Sequence, residues 1–260
     1  MKARWPFIAL LFVCAAVMLA LFVFEKRVTA EKEAVALLKP PPAPPALPAK
    51  PAPPVFIGET IAYDVKLGPL KMGTCVFTHR DRIALSGKDA DLFTFETKVT
   101  HFSDKETIYS DPESFLPVRV ERDIYSWPTQ EKITEEYDQK EHTVTITKNG
   151  SRQVIRKSAP LNNAILLPFF VRKTAKLQSG WSMKAVLPTQ EFEIRMVRTE
   201  KVAVPSGSYD TYYFESTPAK FQIWITADER RIPVKIRGTG GIGYTMLMNA
   251  YTGPREKVKE

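Results

Sequence analysis

The chain has 260 residues, with 37 Lys and Arg against 29 Asp and Glu, a formal net charge of +8, and 2 cysteines. Half of that excess lies ahead of residue 55, and residues 55–260 carry 30 basic and 26 acidic side chains, interspersed. This excludes the basic stripe with interleaved aromatics of a nucleic-acid binder, and a lone cysteine in that region, Cys75, excludes an internal disulfide.

Residues 7–24 form an unbroken run of 18 apolar side chains behind Lys2 and Arg4. At about 1.5 Å per residue, such a helix spans roughly the hydrocarbon thickness of a bilayer. The length favours an uncleaved anchor (residues 1–30) over a signal peptide, whose apolar stretch is about 7 to 15 residues. Val28, Thr29 and Ala30 nevertheless offer a leader-peptidase site, and cleavage there would release the rest into the periplasm. Cys14 follows bulky Phe12 and Val13 and reads as an apolar helix residue rather than a lipidation site. The basic residues ahead of the run favour an N-terminus on the cytoplasmic side. The expected location is therefore the inner membrane, single-pass, with the C-terminal part in the periplasm.

Residues 31–54 are the expected linker. Nine of the 16 residues from 39 to 54 are proline, which fixes φ and removes the amide donor. The tract is expected to be extended polyproline II, with about 50 Å of reach.

Residues 55–260 read as one all-β domain, an antiparallel curled sheet or barrel-like structure with one short helical segment. Period-two alternation recurs at Phe93, Phe95, Thr97 and Val99, at Val144 and Ile146, at Phe192, Ile194 and Met196, and at Phe221, Ile223 and Ile225. One-face burial of this kind marks antiparallel strands. Asn149-Gly150 is a hairpin signal, Ser206-Gly207 and Gly87 mark further turns, and about a dozen strands fit the spacing.

Residues 161–172 break the rhythm. Positions 164–171 are apolar throughout, Asn162 or Asn163 can cap a helical turn, and Pro168 allows only a short one. The segment is expected to plug the open side of the sheet. A sharper reading makes it a lid over an apolar ligand cavity, with Ile165, Leu166, Phe169, Phe170 and Trp224 as candidate contacts.

Signatures of catalysis are wanting. Gly238, Gly240 and Gly243 have the spacing of a dinucleotide loop, but a strand follows where a helix is required, so a turn between the last two strands is expected. His79, His101 and His142, expected on separate strands, make no metal-ligand spacing with Cys75. Neighbouring carboxylates such as Glu135 and Glu136 point to opposite faces of a strand. No cofactor, metal site or catalytic residue is expected.

Gly58-Glu59 with Tyr63 and Gly73, a Pro-x-Gly turn at Pro205, and Trp224, Asp228, Arg231 and Pro233 in order form a pattern. It resembles an uncharacterised bacterial cell-envelope family catalogued as domain of unknown function 3108. Asn162-Asn163 stand where that family usually has an aspartate. The resemblance implies an exported all-β domain without established catalytic residues. Its motif residues read as structural, with Asp228 and Arg231 fastening a turn and Pro233 opening a strand where no amide is needed.

The function expected is non-catalytic: binding of a lipid or other hydrophobic ligand in the envelope, with the inner membrane as partner through the N-terminal helix. The alternative is a structural or assembly module docking onto an envelope protein. A glycan or peptidoglycan hydrolase ranks last, since it would need carboxylates assembled by folding.

Overall fold

A computed structural model describes residues 56–174, 177–239 and 243–255. The expected membrane helix, its cleavage point and the proline tract lie outside the described residues. Among the described residues no helix is long and apolar enough to cross a membrane.

The first arm of the sheet runs β1 (Thr60–Leu67), β2 (Leu70–Leu85), β3 (Lys88–Val99), β4 (Phe102–Ser110), β5 (Pro117–Ser126), β6 (Thr129–Asp138), β7 (Thr143–Lys148) and β8 (Ser151–Arg156). A helical turn, α1 (Leu167–Phe170), and a 3-10 turn (Val171–Lys173) follow. The second arm is β9 (Ser182–Val186), β10 (Glu191–Val204), β11 (Gly207–Thr217), β12 (Phe221–Thr226), β13 (Pro233–Gly238) and β14 (Tyr244–Thr252). All belong to one 14-stranded antiparallel sheet in which β1 lies between β2 and β14. The two outermost strands, β8 and β9, are neighbours in the chain but not in the sheet. The all-β expectation is met, and the sheet is curled rather than closed.

Alternation explains the faces. In β10, Phe192, Ile194 and Met196 are buried while Glu191 and Arg195 are exposed. Asn149 and Gly150 adopt φ of +48° and +84° between β7 and β8, as the hairpin signal requires. Gly238 ends β13 and Tyr244 opens β14, so a strand follows the glycines where a dinucleotide loop requires a helix. His101 and His142 sit in turns at φ of +62° and +52° rather than in strands.

Antiparallel order sorts the turns. The β1–β2, β3–β4, β5–β6, β7–β8, β9–β10, β11–β12 and β13–β14 turns share one end of the sheet, the lower rim. The β2–β3, β4–β5, β6–β7, β10–β11 and β12–β13 turns, with the start of β1 and the end of β14, form the upper rim.

Residues 161–172 pack against both arms of the curled sheet. Phe169 stacks on Phe77 of β2 at 4.1 Å between ring centres. Leu167 and Val171 join Ile194, Phe214 and Ile223 of the second arm. Burying a side chain of the size of Phe169 contributes about 1.5–3 kcal/mol. Asn163 accepts hydrogen bonds from the amides of Ile165 (2.8 Å) and Leu166 (3.3 Å), so it caps the turn that leads into α1. Asn162 does a different job: its Oδ1 accepts from the Val186 amide at 2.9 Å, and its own amide donates to the Val186 carbonyl at 2.7 Å. Part of the β9 edge is thereby satisfied without a strand partner.

Candidate functional site

The plug is fastened at the upper rim. Glu59, immediately before β1, is fully buried, and its carboxylate accepts from Arg172 Nη1 at 2.6 Å and Nη2 at 2.9 Å. Tyr251, near the end of β14, donates to the same carboxylate at 3.0 Å. Burial first, then the Glu59 charge, pushes the Tyr251 hydroxyl up to about 12, so it remains a donor. The Arg172 guanidinium lies 4.2 Å from the ring centre of Phe56 and 4.9 Å from that of Phe169. Its Nε donates to the Arg231 carbonyl at 3.3 Å. A bidentate, hydrogen-bonded pair of this kind is the arrangement in which burying two charges is tolerated.

The β12–β13 turn supplies the second fastening. Asp228 Oδ1 accepts from the Thr226 hydroxyl at 2.6 Å and from the Arg231 amide at 3.2 Å, while Oδ2 takes the Arg230 guanidinium. The expected Asp228–Arg231 fastening thus runs through the Arg231 backbone. The Arg231 side chain donates instead to the carbonyls of Val171 and Thr174 and holds the plug. Tyr63 donates to the Pro233 carbonyl at 2.8 Å, tying β1 to the start of β13. Gly58 has φ +88°, and a Cβ there would meet Arg255 Cγ at 2.4 Å. A Cβ on Gly73 would lie 2.0 Å from the Lys98 carbonyl of β3. Tyr63, Glu59, Arg231 and Asp228, scattered in sequence, therefore converge on one clamp.

At the lower rim the same plug leaves space. A cavity of about 160 Å³, partly open to solvent, is lined by Ile165, Leu167 and Phe169 of the plug and by Phe77, Ile223, Ile236 and Met246 of the sheet, among others. Leu187, Phe192, Phe221 and Tyr244, which start or flank strands at the lower rim, also line it. Of the candidate contacts, Ile165 and Phe169 face this cavity. Leu166 and Phe170 pack into the core beside Phe115 and its neighbours. Trp224 sits on the face of β12 opposite Ile223, where its ring meets Tyr213 at 4.9 Å, Lys235 Nζ at 4.1 Å and its indole donates to Glu200 at 2.5 Å. Cys75 is buried, its thiol pushed up to about 12 by desolvation, in contact with Met246 Sδ at 3.3 Å. Buried and kept neutral in this way, it packs as a small apolar side chain.

Folding also gathers carboxylates that no local motif reveals. On the inner face of β4, β5 and β6, Asp104 grips Arg122 through Nε (2.9 Å) and Nη2, and Glu106 lies 3.5 Å from the same guanidinium. Tyr137 donates to Glu135. Burial, opposed by Arg122, pushes Glu106 up to about 7, and burial also raises Glu135. Glu106 and Arg122 face one another in register, which period-two counting could have shown only once the pairing was known. The group is an ion network whose members do not line the apolar cavity beneath the plug, although Asp104 borders a separate, more open hollow with Glu96, Lys98, Asp123 and Gln130. Among the described residues no cluster of three or more His, Cys, Asp or Glu is arranged to hold a metal ion.

The sequence profile of the family described as "Protein of unknown function (DUF3108)" matches residues 62–249. The chain belongs to this family. Tyr63, Gly73, Trp224, Asp228, Arg231 and Pro233 fall inside the matched span of this DUF3108 member, and Gly58 and Glu59 just before it. No curated protein matches the chain. Solved structures similar to it include a β-barrel-like protein of domain of unknown function DUF1849 from Brucella abortus, at 6% identity and TM-score 0.48, covering 77% of this chain and 99% of that one. A protein described as exported, with a YmcC-like fold, from Bacteroides fragilis is similar at 10% identity and TM-score 0.29, covering 76% and 97%. A protein described as a lipoprotein from Parabacteroides distasonis is similar at 10% identity and TM-score 0.26, covering 75% and 95%.

Proposed function

We propose that this DUF3108 protein works in the cell envelope, where its β-domain binds the apolar end of a small hydrophobic molecule, a lipid acyl chain foremost, beneath the plug. The cavity carries the reading: about 160 Å³, walled almost wholly by aliphatic and aromatic side chains, and partly open. An engineered apolar cavity of about 150 Å³ stays dry and accepts benzene. The space therefore suits a chain terminus or a ring, with the remainder of the ligand outside the mouth. Placement in the envelope, anchored in the inner membrane, rests on residues 7–24 and the proline tract. An alkaline-phosphatase fusion to the C-terminus should be active, and a dark fusion would refute it.

Binding is tested by native mass spectrometry of the protein released from envelopes in mild detergent, followed by titration with fatty acids of graded length. One apolar molecule per chain is expected, lost when Ile236→Phe fills the cavity. No uptake by the folded parent protein refutes the reading.

A second reading is supported by β8. Five of its six residues are exposed, and it pairs only with β7 among the described residues, so its outer edge can accept a partner strand. In-cell crosslinking from Arg152 or Val154 should trap one recurring protein if that edge is the working surface.

A further inference from the structure

The two rims differ in charge. At the lower rim, Lys66 and Lys71 flank the β1–β2 turn, Lys98 precedes the β3–β4 turn, Lys148 and Arg152 flank the β7–β8 turn, and Lys220 lies in the β11–β12 turn. Glu191 is the acid that borders a turn at this end. Asp64, Glu96 and Glu131 sit a step deeper and pair with Lys71, Lys98 and Lys148, offsetting part of this charge while holding those lysines at the rim. The upper rim is mixed: Asp89, Asp111, Glu113, Asp138 and Glu141 stand in its turns, but Lys88, Lys140, Arg230 and Arg231 stand among them.

Among the described residues, three of the five exposed large apolar side chains stand at the basic end; Val118, at the start of β5, and Val154, within β8, do not. Leu70 and Trp127 are the most exposed large apolar side chains, at 64% and 67%, and each belongs to a lower-rim turn. Tyr125, 42% exposed, stands beside Trp127. Tips of this kind ordinarily carry small polar residues. A Trp and a Tyr with apolar bodies and polar handles, set among lysines, have the chemistry of the headgroup layer of an anionic bilayer. The cavity, too, lies toward this rim, through Leu187, Phe192, Phe221 and Tyr244.

We infer that the lower rim is a docking surface for an anionic lipid bilayer, with Leu70 and Trp127 entering the interface and the lysines meeting the headgroups. The inference deepens the proposed ligand reading, by placing the cavity on the lipid side, but stands on charge and exposure that do not depend on the cavity.

The test uses the full-length protein in phosphatidylcholine nanodiscs, mixed with vesicles whose acyl chains are brominated and which contain phosphatidylglycerol or lack it. Trp127 emission is isolated as the difference between the parent and Trp127→Phe. Quenching is expected on anionic vesicles, reversed by high salt, as screening requires. It should weaken about tenfold in apparent affinity for Lys66→Glu with Lys71→Glu. Leu70→Asp, at an exposed position, should also weaken it while leaving the circular dichroism spectrum unchanged. Absence of quenching on anionic vesicles, or equal quenching on neutral ones, overturns the inference. Ile236→Phe separates the two ideas: it should abolish ligand uptake and leave Trp127 quenching intact.

Discussion

Arg172→Met isolates the clamp. It removes a guanidinium that is 3% exposed and leaves the fully buried Glu59 carboxylate with Tyr251 as its donor. Breaking a buried pair from one side costs about 3–5 kcal/mol, because the remaining charge has neither water nor counter-ion. The lost contacts with Phe56 and Phe169 add about 0.5–1 kcal/mol each. For a domain of this size each kcal/mol lowers Tm by about 2–4 °C, so a loss of about 4–7 kcal/mol should lower it by roughly 8–28 °C. The double variant Glu59→Gln with Arg172→Met removes both charges and should recover most of the loss. Urea unfolding read by circular dichroism gives the free energies. Hydrogen exchange at the amides of Phe169 and Thr174 shows whether the plug opens locally before the sheet unfolds. A loss below about 1 kcal/mol for Arg172→Met, or a double variant worse than either single one, would refute the claim that this pair holds the plug.

Glu106 should make the domain less stable as pH rises. Its carboxyl titrates near 7 in the fold and near 4.5 when unfolded, so between those values the native state binds the extra proton and stability declines. Glu106→Gln should therefore raise the unfolding free energy from urea titration more at about pH 8 than at about pH 5, by at most about 3 kcal/mol. Gly73→Ala should cost about 1–3 kcal/mol or prevent folding, since its Cβ would meet the Lys98 carbonyl rather than a flexible side chain. Asn149→Val should cost about 1–2 kcal/mol in thermal unfolding, because a β-branched residue resists the φ of +48° needed between β7 and β8. An unchanged Tm for either variant would contradict the geometry assigned to its site.

The strands were legible because burial on one face writes itself into every second residue. β10 declares Phe192, Ile194 and Met196 without any knowledge of its partners, and Asn149-Gly150 declares its hairpin from φ preferences alone. The short plug showed itself as an apolar stretch that breaks the alternation, with Asn162 or Asn163 as its cap, and the structure gives that role to Asn163. What one chain cannot announce is which distant strands meet. The pairing of β1 with β14 brings Tyr251 to Glu59, and the curl of the two arms brings Arg172 there as well. Asp104, Glu106 and Arg122 each look like an ordinary polar position until the register sets them side by side on an inner face. Trp224 looked like a cavity residue by its aromatic neighbours, and a one-residue step along β12 sends it to the other side. The sequence by itself determined the local periods and turns, since these follow from backbone sterics and side-chain polarity over a few residues. The clamp, the cavity and the gathering of basic side chains at the lower rim were decided by tertiary structure, since each depends on the placement of residues far apart in the chain.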